Sequence, residues 1–168
     1  MPDAVCDCMT DASHVVVAYD FSHSGRAALE RAIAIANRAP WHVLHFVCVI
    51  DPRFPFPALP TEHVDVEYAN RVVAAITQEV VSELIEGHGV QFHVHVPVAK
   101  KPAPAILELA EQIAADLIIV GSKGLTGLER VMIGSTSERI VREAGCTVEV
   151  ARPNRYLHNA PTAAHASL

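Results

Sequence analysis

The chain has no run that approaches the roughly 20 apolar residues needed to cross a bilayer, so a membrane-spanning helix is not expected. It also lacks positive charge: 13 Lys and Arg stand against 19 Asp and Glu, a net charge of -6. Such a balance gives no global attraction for a phosphodiester backbone or an anionic lipid surface, and neither nucleic acid nor membrane is expected as a partner. The first thirteen residues carry Asp3, Asp7 and Asp11, without the basic start and apolar core of a secretory signal. A cytoplasmic protein is the expectation. Zinc-finger spacing is missing too, because Cys6-x-Cys8 has no second Cys or His pair placed to complete a metal site. Cys48 and Cys146 lie in strand-like apolar runs, where a thiol behaves as a small buried hydrophobe.

What is present is a chain of 168 residues, 51% hydrophobic and 19% charged, enough for one compact core. Short β-branched runs alternate with longer segments of helical periodicity, the pattern of an α/β fold. His14 to Tyr19 is almost all valine and reads as a buried parallel strand, since strands covered on both faces lose their in-and-out alternation. From Ser24 to Arg38, the residues Leu29, Ala32, Ile33 and Ala36 fall on one helix face. A second strand is expected over Val43 to Ile50. Four prolines between Asp51 and Pro60 then exclude regular structure, each removing a backbone donor. A long helix is expected from Glu62 to Glu86, with Gly87 and Gly89 after it.

Gln91 to Val98 alternates more clearly and suits a strand near the sheet edge. Ile106, Leu109, Ala110 and Ile113 mark a third helix, Leu117 to Val120 a fourth strand, Thr136 to Ala144 a fourth helix and Thr147 to Ala151 a fifth strand. Right-handed crossovers wind these elements into a Rossmann-like, five-stranded parallel sheet of order 3-2-1-4-5 with helices on both faces. The α/β domain is expected over residues 14–153, between a flexible leader (1–13) and a disordered tail (154–168). In this topology strands one and four meet where the winding reverses, and ligands bind beyond the carboxyl ends of the strands there. Asp20-Phe21-Ser22 and the segment from Gly121 to Ser135 both fall at that crevice.

Glycines in the second segment let main-chain N–H groups approach a ligand with no Cβ in the way. The start of the fourth helix adds unpaired N–H groups and a partial positive charge suited to phosphate. The other reading is internal: a glycine turn, with Ser135 and Glu138 forming a capping box. Neither G-x-x-x-x-G-K-[ST] nor G-x-G-x-x-G after the first strand is present. The spacing Gly121-x2-Gly124-x9-Gly134-Ser135, set between Leu117-Ile118-Ile119-Val120 and Ser137-Glu138-Arg139-Ile140-Val141, resembles the nucleotide-binding motif of the universal stress protein family. Asp20-Phe21-Ser22, Val49-Ile50-Asp51, Ala115-Asp116 and Cys146-Thr147-Val148 resemble further family positions, so that the likeness runs from His14 to Pro153.

This resemblance implies an ATP-binding, cytoplasmic stress-response protein, usually a homodimer, with Mg²⁺ carried by the nucleotide and hydrolysis slow or absent. Position by position, it implies Asp20 and Val49 against the adenine and Ala18 near the ribose. Val120, Gly121, Lys123, Gly124, Gly134, Ser135, Thr136 and Ser137 follow as the phosphate path. The sequence departs from the family pattern at Lys123, commonly Arg or His, at Lys100, commonly Gly, and at Ala18, a proline in some nucleotide-binding members.

Other constellations are weaker. His93-x-His95 places two rings on one strand face, yet no third ligand is evident, and His42, His45 and His63 belong to separate elements. Hydrogen-bonded or exposed histidines are expected instead of a metal site. Asp51 reads as a turn former. No Ser-His-Asp order or acid pair points to catalysis. A dimer of the same fold that binds no nucleotide and pairs through Thr147 to Ala151 is the alternative reading. A phosphoaccepting receiver domain is disfavoured, because Asp20 stands alone and the third strand runs into Val98-Ala99-Lys100.

Overall fold

The computed structural model describes residues 12–84, 89–123 and 133–154. Nine elements follow one another: β1 (Ser13–Ala18), α1 (His23–Arg38), β2 (His42–Val47), α2 (Val66–Glu83), β3 (Gln91–His95), α3 (Pro102–Gln112), β4 (Leu117–Gly121), α4 (Ser135–Glu143) and β5 (Thr147–Ala151). The strands are parallel and lie in the order β3-β2-β1-β4-β5, the order expected from right-handed crossovers. β1 starts at Ser13, inside the stretch expected as leader. Residues 1–11 and 155–168, with Cys6 and Cys8, lie outside the described residues.

β1 is central because both of its faces are apolar. Val15 and Val17 point into a core with Leu29 and Ile33 of α1 and Tyr68, Val72 and Ile76 of α2. Val16 and Ala18 point the other way, into a core with Ile106 and Ala110 of α3 and Ile140 of α4. The valine run is therefore buried on both sides, which explains its lack of alternation.

Several boundaries differ from the sequence expectation, each for a local reason. α1 starts one residue earlier than expected, at His23, because Ser22 caps it: its hydroxyl accepts from the Gly25 N–H at 3.0 Å. α2 starts at Val66 and not at Glu62, because Asp65 caps it by accepting the Tyr68 N–H at 2.8 Å. It ends at Glu83, short of Glu86. β3 ends at His95 because Pro97 has no N–H to donate to the ladder. The Pro97 carbonyl still accepts from Ile50 N at 2.9 Å, so β2 and β3 stay joined beyond their regular ends, with a single bridge between Ile50 and Val98. Asp51 forms the turn expected of it: its carboxylate accepts the Arg53 N–H at 2.9 Å and the Arg53 guanidinium at 2.6 Å.

Candidate functional site

The carboxyl ends of β1 and β4 open a cleft lined by Ala18, Tyr19, Asp20, Gly25, Val47, Val49, Pro102, Ile106, Val120, Gly121, Lys123, Thr136 and Ser137. This is the switch point of the winding, where β1 turns toward α1 on one face and β4 toward α4 on the other. Its floor is apolar, from Ala18, Val47, Val49 and Val120, and Ile106 of α3 closes one side. Its polar groups gather at the end of β4 and the start of α4.

Two glycines shape this end. A Cβ on Gly121 would lie 2.5 Å from the Ser24 carbonyl carbon, so only glycine lets β4 end against the start of α1. A Cβ on Gly25 would lie 2.5 Å from Asp20 Oδ1, so its bare Cα leaves the carboxylate its place. Asp20 accepts the Ser22 N–H at 3.1 Å, and Phe21 between them adopts φ 60°, which turns the chain sharply at the cleft. The Phe21 ring packs on Tyr19 and Phe56, on the far side from the cleft floor. The burial of Tyr19, with Glu79 accepting its hydroxyl at 2.6 Å, raises its phenol pKa far above the usual value.

The glycine-rich segment is anchored at both of its described ends. Ser122 N donates to Ala151 O at 2.9 Å, and Gly134 N donates to Ser122 O at 2.8 Å. The Ser24 and Ser122 hydroxyls meet at 3.4 Å, and Ser22 Oγ donates to Lys123 O at 3.4 Å, which ties the β1–α1 turn to the segment. The capping box is not formed. Gly134 occupies the N-cap of α4, no side chain caps it, and Ser135 is the exposed first helical residue. The first-turn N–H groups of Ser135, Thr136 and Ser137 have no partner within the helix, as at any helix start. Two hydrogen bonds are committed internally: the Gly134 N–H to Ser122, and the buried Ser137 hydroxyl to Gly121 O at 2.6 Å.

Of the eleven residues singled out from the sequence, eight line the cleft: Ala18, Asp20, Val49, Val120, Gly121, Lys123, Thr136 and Ser137. Gly134 and Ser135 stand at its edge, as N-cap and first residue of α4. Gly124 lies outside the described residues. Tyr19, Gly25, Val47, Pro102 and Ile106 were not found by sequence reasoning. Val47 carried a signal, being two residues before Val49 on the same strand face. Pro102 and Ile106 carried none, because the packing of α3 brings them to the cleft. Burial pushes the thiol of Cys48, the residue after β2, well above the usual range, with Asp20 adding to the shift.

The sheet order and the cleft define a doubly wound α/β protein with a crevice at its switch point. Comparison with known proteins narrows the class. Residues 12–152 match the universal stress protein family. A universal stress protein of Methanocaldococcus jannaschii is 35% identical over 141 residues, 82% of this chain and 81% of the relative. The chain belongs to the universal stress protein family. Among solved structures, a universal stress protein from Lactobacillus plantarum superposes with a TM-score of 0.61 at 26% identity, over 84% of this chain and 98% of the other. A universal stress protein solved in complex with cAMP superposes with a TM-score of 0.59 at 25% identity, over 84% and 97%. No helix among the described residues is long and apolar enough to cross a membrane.

Proposed function

We propose that the cleft binds an adenine nucleotide, ATP with its accompanying Mg²⁺, and that occupancy regulates a partner protein while hydrolysis is slow or absent. The observation that carries this reading is the meeting of an apolar floor with the open first turn of α4 in one crevice at the switch point. An adenine ring suits the first and phosphate the second. The cAMP complex of a related universal stress protein supports the same ligand class.

In this reading Asp20 and Val49 face the base and Ala18 the ribose. Val120, Gly121, Lys123 and the first turn of α4 from Ser135 to Ser137 follow the phosphates, with Gly124 and Gly134 as the glycines of the path. Gly134 acts as the N-cap that orients this turn, since its own N–H is held by Ser122. Ser137 contributes its main-chain N–H, its hydroxyl being held by Gly121. Efficient hydrolysis would need a positioned water, a base and transition-state charge. Two copies pair along the β5 edge, Thr147 to Ala151, in a homodimer.

Titration calorimetry of the wild-type chain with ATP and Mg²⁺, AMP and cAMP tests the site, with Thr136→Glu as the altered protein. A carboxylate at the helix start opposes a phosphate and weakens binding at least about tenfold. Equal heats from both proteins, or none from either, defeat the proposal. Analytical ultracentrifugation in the same buffers checks the dimer. A monomer with and without nucleotide removes the β5 pairing.

A further inference from the structure

The face of the sheet that carries the cleft also carries four histidines. His14 on β1, His45 on β2 and His93 and His95 on β3 share the side-chain parity of Val16, Ala18, Val47 and Val49. Their rings meet across three strands. His14 Nδ1 lies 3.0 Å from His45 Nε2, and His45 Nδ1 lies 3.1 Å from His95 Nε2. His93 stacks on His45, centroids 5.0 Å apart and planes 25° from parallel. His45 is only 6% exposed, His14 and His95 are half-buried and His93 is exposed.

This is not a metal-ligand set. The two nitrogens of His45 serve different neighbours, and among the described residues no three His, Cys, Asp or Glu side chains converge to hold an ion. It is a chain of hydrogen bonds whose proton capacity can be counted. A neutral imidazole carries one N–H, so three neutral rings carry three protons on six nitrogens. Four of those nitrogens face one another in two pairs, and each pair bonds only when it holds a single proton. The two outer nitrogens, His14 Nε2 and His95 Nδ1, accept one proton each. Four protons, one more than the neutral count, is therefore the most the chain holds with both bonds intact. A fifth sets N–H against N–H.

We propose that the chain from His14 through His45 to His95 is an acid-operated latch of the sheet, which holds one added proton with both bonds made and parts at the second. Its surroundings do little to offset the second charge. The groups facing His45 from β1 and β3 are imidazoles. The Asp116 carboxylate, after α3, accepts the backbone N–H of His14 at 2.9 Å. On α3, Glu108 lines a hollow with His95 and accepts from Gln112 at 3.3 Å, while Glu111 lines a different hollow with Glu143 and Cys146. Among the described residues one carboxylate thus attends the His95 end, and the charged neighbours of the middle ring are imidazoles. Burial first, then His95, His93 and His14, push the His45 imidazole down to about 4, and burial with His93 lowers His95.

The sign follows from linkage. A histidine whose pKa is depressed on folding takes up its proton more readily in the unfolded chain. The stability it contributes is complete above the ordinary value near 6.5 and is lost as pH falls toward 4. The part of the sheet that opens first is the joint of β2 with β1 and β3 on the cleft side.

The test uses the full chain. Imidazole ¹⁵N shifts followed from pH 7.5 to 4 give the charge state of each ring, and urea unfolding over the same range gives the folding equilibrium. The expected result is a His45 ring that stays neutral well below pH 6.5. The folding equilibrium of the wild type then falls at least about tenfold more than that of His45→Val, one pKa unit being a factor of ten. Exposed His63, changed to Gln, leaves the wild-type dependence unchanged and controls for general acid effects. Should His45→Val fail to fold, His45→Gln keeps a polar, non-titrating group and carries the same comparison. A His45 ring that titrates near 6.5, or equal pH dependence in wild type and variant, overturns the latch.

Discussion

The two faces of the sheet solve the same packing problem differently. On the face of α1 and α2, Val15, Val17, Leu44, Phe46, Leu29, Tyr68, Val72 and Ile76 interlock with essentially no exposure. On the face of α3 and α4 the apolar packing is interrupted in two places. Toward the carboxyl ends of the strands the gap is the cleft. Along β1, β2 and β3 the place of apolar side chains is taken by hydrogen-bonded imidazoles. The first face stabilises the fold through burial, at about 25 cal/mol per Å² of apolar surface. The second gives up some of that burial, which leaves room for a ligand and keeps titratable groups within reach of solvent.

The comparison breaks most sharply where the two faces share a backbone. Gly121 ends β4 and touches the start of α1, and any Cβ there meets the Ser24 carbonyl at 2.5 to 2.6 Å. Since the clash is with backbone, no rotamer relieves it. Gly121→Val is expected to lose about 3 kcal/mol or more, at the large end of single substitutions. Thermal and urea unfolding measure this. A loss below about 1 kcal/mol would show that the junction yields easily and that the faces are not locked together there.

Much of this division was legible in the sequence. The valine run from Val15 to Val17 announced a strand buried on both faces, and the alternating patterns, joined by right-handed crossovers, led to the strand order that the structure has. Gly121, Asp20 and the start of α4 were assigned to one crevice from topology, and the family resemblance sharpened the list. What was not legible was register and packing. The strand order put β2 between β1 and β3, but that His45 stands beside His93 and opposite Val16 depends on an alignment no local pattern states. Hence the histidines were read as scattered. Pro102 and Ile106 reach the cleft only because α3 lies across β1 and β4, a docking decided by the whole core. The capping box at Ser135 was a sound local pattern, displaced because Gly134 is held by Ser122 and becomes the cap.

A matched pair of substitutions sharpens the contrast between the faces. Ile76 on α2 is fully buried in the closed core, and Ile76→Ala leaves a cavity that neighbours fill only in part. The expected loss is about 2 to 5 kcal/mol in urea unfolding. Ile106 on α3 is 3% exposed but lines a cleft that is already open. Ile106→Ala therefore enlarges a space that solvent enters, and most of the cavity penalty is absent. Its expected loss is about 2 kcal/mol, the low end of that range, close to the transfer of the three removed carbons at about 0.8 kcal/mol each with little cavity penalty added. The same change removes one side of the apolar floor, so nucleotide affinity should fall several-fold in calorimetry while Ile76→Ala leaves it nearly unchanged. Equal stability losses at the two positions would mean that the cleft side is packed as tightly as the other. A loss of affinity at Ile76 as large as that at Ile106 would mean that ligand binding draws on the stability of the whole sheet and not on the wall of the crevice alone.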